Sequence, residues 1–173
     1  RCLSRMQIAM FSQRPVLHMI CGKIAAGKST LAARLASAPA TVLLSEDRWM
    51  SCLYKDELKS VADYVRYSAR LRNAIGGHIE ALLKAGMSVV LDFPANTVAN
   101  RQWMRTIFSG AGADHRLHFL DATDEICRER LRQRNAAGTH AFVVSDAEFD
   151  EITRHFAPPA RRECFETVVY RET

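Results

Sequence analysis

The residues best suited to chemistry are Gly22-Lys23-Ile24-Ala25-Ala26-Gly27-Lys28-Ser29, which fit G-x-x-x-x-G-K-[ST] without a mismatch. In this spacing Gly22 and Gly27 allow turns that a Cβ opposes. Backbone N–H groups across Lys23, Ala25, Ala26, Gly27 and Thr30 then converge on phosphate oxygens. Lys28 brings a point charge to the β- and γ-phosphates, and the Ser29 hydroxyl is suited to ligate magnesium. A helix starting here also points its positive dipole end at the same anion.

Two carboxylates follow short apolar runs. Asp47 comes after Thr41-Val42-Leu43-Leu44, and Asp92 ends Met87-Ser88-Val89-Val90-Leu91. Ligands of an open parallel sheet bind off the carboxyl ends of its strands, so both acids are placed for chemistry. Asp47 is the candidate base for an acceptor hydroxyl; the other reading is that Glu46 and Asp47 cap the next helix or stay solvated. Asp92 either holds magnesium or its water shell, or contacts the acceptor.

A third group lies in Cys127-Arg128-Glu129-Arg130-Leu131-Arg132-Gln133-Arg134. At 100° per residue, Ile126, Cys127, Arg130, Leu131 and Arg134 share one helical face, and Arg128 and Arg132 fall opposite. Arginines on an apolar face are aimed at something other than water. Arg130 and Arg134 therefore read as facing a bound anion or base, and Arg128 and Arg132 as solvated.

The elements needed to position these groups are legible. Val16 to Cys21 reads as a buried parallel strand and Thr30 to Ala36 as the helix after the loop. The runs ending near Leu44, Asp92, Asp121 and Arg171 complete five strands. Residues 50–85 read as two helices or one bent one, stopped by Gly86. Gly76-Gly77 within it marks either a kink or a close contact. Tyr54, Tyr64, Arg66 and Tyr67 form either a solvated face or the cover of an acceptor pocket. Asn96 leads into a helix closed by Gly110 and Gly112. His118 reads as an ordinary strand residue, since no second ligand stands at metal spacing. Thr123 caps the arginine helix, Asn135 to His140 forms a flexible tip suited to a lid, and Ser145-Asp146-Ala147-Glu148 is a capping box.

The 173 residues suit one domain, 15–173, behind a basic leader, 1–14, that lies outside the fold. An apolar share of 48% fits a globular protein and leaves no run long enough for a membrane span. Five scattered cysteines without C-x-x-C point to the reducing cytoplasm and away from disulfides or zinc. Cys21 reads as a small buried apolar residue, with a redox thiol beside the loop as the other reading. A net charge of +5, carried mainly by arginine, suits an anionic ligand without defining a nucleic-acid surface.

Strand, phosphate loop, helix and alternating elements thereafter describe a three-layer α/β/α nucleoside-triphosphate fold with a mostly parallel five-stranded sheet and a helical lid. The GKIAAGKST loop, the Asp47 turn, Asp92, the Arg130/Arg134 helix and the RNAAGTH…Pro158 tail resemble the small P-loop kinases of the polynucleotide kinase, zeta toxin and chloramphenicol phosphotransferase group. The resemblance spans about residues 16–171. It implies Lys28 on the β/γ-phosphates, Ser29 on magnesium, Asp47 as general base, and Arg130 and Arg134 packing on adenine or neutralising the migrating phosphoryl group. The role of Asp92 varies within the group. Phe93-Pro94 after Asp92 departs from its usual polar pair. No N-K-x-D motif appears, which favours ATP over GTP. The reading is an ATP- and Mg2+-dependent phosphotransferase acting on a hydroxyl of a small acceptor. A 5′-hydroxyl nucleic-acid kinase is less favoured, and a nucleotide-binding regulatory module is the rival.

Overall fold

Five parallel strands carry the fold in the order β2-β3-β1-β4-β5. They are β1 (Val16–Cys21), β2 (Thr41–Ser45), β3 (Ser88–Pro94), β4 (Asp114–Asp121) and β5 (Thr167–Arg171). The structure is a computed structural model that describes residues 14–138 and 143–171. The leader to residue 13 and the tip residues Thr139 and His140 lie outside the described residues. Every strand pairing is parallel, where the sequence predicts mostly parallel. The chain steps from β1 outward to β2, returns through β3, and crosses to β4, so the order switches direction beside β1.

Six α-helices flank the sheet among the described residues: α1 (Lys28–Ala36), α2 (Glu46–Tyr54), α3 (Val61–Lys84), α4 (Val98–Ala111), α5 (Asp124–Ala137) and α6 (Asp146–Arg154). Two cores make the three layers. Leu17, Met19 and Leu91 face Ile75 and Ile79 of α3 and Met104 and Ile107 of α4. Ile20, Val90 and Leu120 face Leu31 of α1, Leu131 of α5 and Phe149 of α6. Helices on both faces explain why β1 and β3 read as apolar runs, while His115 to Asp121 in β4 reads as alternating.

Local signals set the helix ends. Ser60, Thr97 and Thr123 accept from the backbone N–H three residues on, and Ser145 with Glu148 forms the reciprocal capping box. Residues 46–84 form two helices rather than one bent helix. Gly76 is a packing contact, since a Cβ there would stand 3.4 Å from Trp103 Nε1, while Gly77 meets nothing. Gly110 lies inside α4, and Gly112, at φ 63°, stops it.

Two expectations are corrected. The tip begins at Gly138 rather than Asn135, because the Asn135 side chain donates to Val144 O at 2.8 Å and α5 stays helical to Ala137. Arg128 is not solvated. It is half-buried, forms ion pairs with Asp146 and Asp150, and lies 4.5 Å over the Phe149 ring, fastening α6 to α5. Arg132 is exposed, as expected, with Asp146 at 3.4 Å.

Candidate active site

The phosphate loop leaves the carboxyl end of β1, at the switch in strand order. Its two glycines are needed for different reasons. A Cβ on Gly22 would sit 3.2 Å from Leu120 Cβ and 3.3 Å from Leu120 O, so this position requires close approach to β4. Gly27 has φ 92° and caps α1 in the left-handed region, and Ala25 shares that region at φ 60°. The Gly22 N–H donates to Asn96 Oδ1 at 3.0 Å, anchoring the loop to the turn after β3. Lys28 Nζ donates to the carbonyls of Gly22 at 2.8 Å and Lys23 at 2.7 Å. Burial lowers the Lys28 ammonium from its ordinary value, and Asp92 and Asp47 oppose that shift. The Lys23 ammonium is engaged elsewhere, with Ala122 O and the Asp124 carboxylate at the start of α5.

Parallel register aligns the acidic groups. Ser45 pairs with Asp92, and the Ser45 hydroxyl lies 3.5 Å from Asp92 Oδ2. Burial raises the Asp92 carboxyl, and Asp47 raises it further, against the pull of the Ser29 hydroxyl and Lys28. Ser29 and Asp92 thus offer a hydroxyl and a carboxylate to the same cavity. That donor set fits magnesium, which keeps several waters and uses one or two protein oxygens beside phosphate. It does not form a protein cage, and no cluster of three or more His, Cys, Asp or Glu suited to a metal occurs among the described residues.

Asp47 lies in the first turn of α2, with Glu46 before it. The Tyr64 hydroxyl from α3 stands 3.0 Å from Asp47 Oδ1 and 3.0 Å from Glu46 Oε2. Glu46 is 1% exposed, with Arg72 Nε 3.6 Å from its other oxygen, which has no hydrogen-bond partner among the described residues. Burial pushes the Glu46 carboxyl up to about 7. Arg72 is held in turn by Ser68 Oγ at 2.7 Å and Asn100 Oδ1 at 2.5 Å. Tyr64 therefore turns inward, whereas Tyr54 and Tyr67 stack on each other at 4.5 Å and Arg66 lies over Tyr67.

Across from these acids, α5 contributes Arg130 and Arg134. Arg130 is exposed and Arg134 half-buried, with Cys127 and Leu131 of the same helix in the core. Arg134 Nε is buried and unpartnered among the described residues, and burial lowers the guanidinium while Asp47 opposes the shift. One cavity of about 1240 Å3 joins the loop, Asp47, Asp92, Arg130 and Arg134. That exceeds the 300–1,000 Å3 usual for a single small ligand. It has room for a nucleotide and a second molecule.

Other residues fall outside this arrangement or were missed in the sequence. Cys21 is fully buried, and burial pushes its thiol up to about 12, as suits a core residue rather than a redox sensor. His118 is bonded within the sheet layer, to His18 at 3.0 Å and the Tyr170 hydroxyl at 2.9 Å. Sequence reasoning did not single out Asn96, Arg72 or Arg101. Arg101 is fully buried, paired twice with Glu163 at 2.7 and 2.8 Å, and donates to Ala95 O at 2.9 Å and Ala157 O at 2.8 Å. It thereby fixes the turn that presents Asn96 to the loop.

No curated protein matches the chain by sequence. Solved structures match its fold. A candidate kinase from Chloroflexus aurantiacus superposes with TM-score 0.74 at 21% identity, over 92% of this chain and 86% of that one. The Mycobacterium tuberculosis APS kinase CysC, in complex with AMPPNP and APS, gives 0.61 at 20% identity, over 92% and 89%. A chain of the Pnkp1/Rnl/Hen1 RNA repair complex gives 0.66 at 21% identity, over 83% of this chain and 44% of that one. Among the described residues no helix is long and apolar enough to cross a membrane. The family model described as "AAA domain" matches residues 17–159, and the chain belongs to that family, with the fold of its small P-loop kinase-like members.

Proposed function

We propose that the protein is an ATP- and magnesium-dependent phosphotransferase that moves the γ-phosphoryl of ATP to a hydroxyl of a small acceptor. The observation that carries this reading is that one cavity holds both the Gly22–Ser29 loop and Asp47. A nucleotide-binding switch needs the loop; it does not need a base at the acceptor site. The absence of an N-K-x-D motif favours ATP over GTP. The four described cysteines are free, in keeping with a cytoplasmic location.

In this reading the loop from Gly22 to Thr30 cradles the phosphate chain, and Lys28 leaves its carbonyl partners for the β- and γ-phosphates. Ser29 and Asp92 hold magnesium, which when bound draws charge from the phosphate oxygens. Asp47 orients the acceptor hydroxyl and takes its proton. Arg134 turns its unpartnered Nε to the charge that develops on the moving phosphoryl group, and Arg130 flanks the nucleotide. Catalysis is then mostly positioning and charge neutralisation.

The test is ATP consumption over a panel of hydroxyl-bearing metabolites, nucleosides, antibiotics and 5′-hydroxyl oligonucleotides. Acceptor-dependent turnover that Asp47→Asn lowers by about 10²–10⁴, with ATP affinity retained, supports the proposal. ATP binding without turnover on any acceptor supports the regulatory module instead. Turnover confined to oligonucleotides selects the nucleic-acid kinase.

A further inference from the structure

Beyond Asp47, the acidic wall of the cavity holds a carboxylate that the proposed chemistry has not used. Glu46 is almost completely buried, yet it neighbours the candidate base in sequence and shares a hydroxyl with it. Tyr64 Oη has one proton to donate and two carboxylate oxygens at 3.0 Å to receive it. With both acids ionised, one of the two contacts is a hydroxyl oxygen against an anion. A second proton among the three groups turns both contacts into ordinary hydrogen bonds.

We infer that Asp47, Tyr64 and Glu46 form a proton relay, in which the proton Asp47 takes from an acceptor hydroxyl is passed through Tyr64 to Glu46. The inference rests on the phosphotransferase reading. The acceptor O–H bond breaks as its oxygen bonds to the γ-phosphorus, and the bond from that phosphorus to the β-phosphate oxygen breaks. Asp47 gains the proton and donates it to Tyr64 Oη, while Tyr64 gives its own proton to Glu46 Oε2. The phenol is never ionised, consistent with burial and the two flanking acids holding it well above its ordinary value. Glu46 lines the cavity, so the proton returns to solvent when product leaves.

The surroundings suit Glu46 as the receiver. Arg72 and Tyr64 face it from α3, Asp47 from its own helix and Asp92 from β3. Burial and the two acids favour the neutral carboxyl, and Arg72 and Tyr64 favour the charged one. The balance near 7 lets Glu46 be empty before transfer and filled after it. Tyr64 and Glu46 are positioning and relay residues; the group that touches the acceptor remains Asp47.

The test pairs a pH–rate profile with carboxyl 13C NMR on the full chain. In the native protein kcat rises with pH through an inflection near 7. Glu46→Gln is expected to abolish that inflection and lower the plateau kcat about tenfold or more, with the KM for ATP unchanged. Tyr64→Phe is expected to lower the plateau equally while raising the midpoint of the Glu46 signal, because a hydrogen-bond donor has been removed. Either variant keeping both the inflection and kcat within about twofold overturns the relay. If the native protein turns over no acceptor, the phosphotransferase reading fails by itself. The NMR arm then still decides the triad: a Glu46 midpoint indifferent to Tyr64→Phe shows that the shared hydroxyl is not there.

Discussion

The Lys28 ammonium donates to the Gly22 carbonyl at 2.8 Å, across the turn that the two residues bracket. Together with its bond to Lys23 O at 2.7 Å, this keeps the cation folded into its own loop. Both acceptors are neutral carbonyls, so a phosphate oxygen that displaces them exchanges ordinary hydrogen bonds for charge-assisted ones. Lys28→Ala should weaken ATP binding about 10- to 150-fold, the equivalent of one lost charged hydrogen bond. Titration calorimetry reads this directly. Unchanged affinity would remove the loop from nucleotide binding.

The loop also depends on a lock behind it. Arg101 and Glu163 are 0% and 7% exposed at their side chains and meet in a bidentate pair. Removing one partner leaves a buried charge uncompensated, at about 3–5 kcal/mol. Glu163→Ala should therefore lower the urea midpoint by a corresponding amount. Hydrogen bonds from Arg101 hold the Glu163 carboxyl below its ordinary value. Its contribution is thus present above about pH 4.5 and lost as pH falls through the lower folded value. ATP affinity should fall as well, because Arg101 holds Ala95 and the next residue, Asn96, holds the Gly22 N–H.

That coupling separates what the sequence reveals from what it hides. Gly22 to Ser29 is legible because its roles are local to eight consecutive residues, Asp47 because it follows β2, and Asp92 because it lies near the carboxyl end of β3, where ligands of such a sheet bind. Arg101 hides because its partner lies 62 residues away, and Asn96 because its partner lies 74 away. A signal for Arg101 existed nonetheless. It shares a helical face with Met104 and Phe108, the same pattern that singled out Arg130 and Arg134. Arg128 misled for the opposite reason: its face looks solvent-bound until α6 arrives with Asp146 and Asp150. Tyr64 carried two readings, and only the return of α3 over α2 decides between them.

Magnesium gives a prediction of its own. Ser29 and Asp92 offer two oxygens to one cavity, with the remaining coordination left to water and phosphate. ATP affinity in the native protein should therefore rise with added magnesium. Ser29→Ala should flatten that rise while leaving metal-free ATP affinity within about twofold, since Lys28 and the loop amides are untouched. A Ser29→Ala protein that responds to magnesium as the native one does would take Ser29 out of the metal site.

Glu46 makes stability depend on pH in the direction opposite to Glu163. Its folded value of about 7 lies above the ordinary 4.5, so between these values the folded chain keeps a proton that the unfolded chain has released. Unfolding stability must then fall as pH rises through that window. The shift corresponds to roughly 3 kcal/mol at full ionisation, an order-of-magnitude figure for a side chain that is almost wholly buried. Urea denaturation of the native protein at pH 5 and pH 8 should show the loss. Glu46→Gln, which stays neutral throughout, should remove most of the difference and be the more stable protein at pH 8. Equal pH dependence in the two proteins would mean that Glu46 ionises at its ordinary value and that the wall beside Asp47 is wet. The relay would then lose its receiver, whatever the acceptor is.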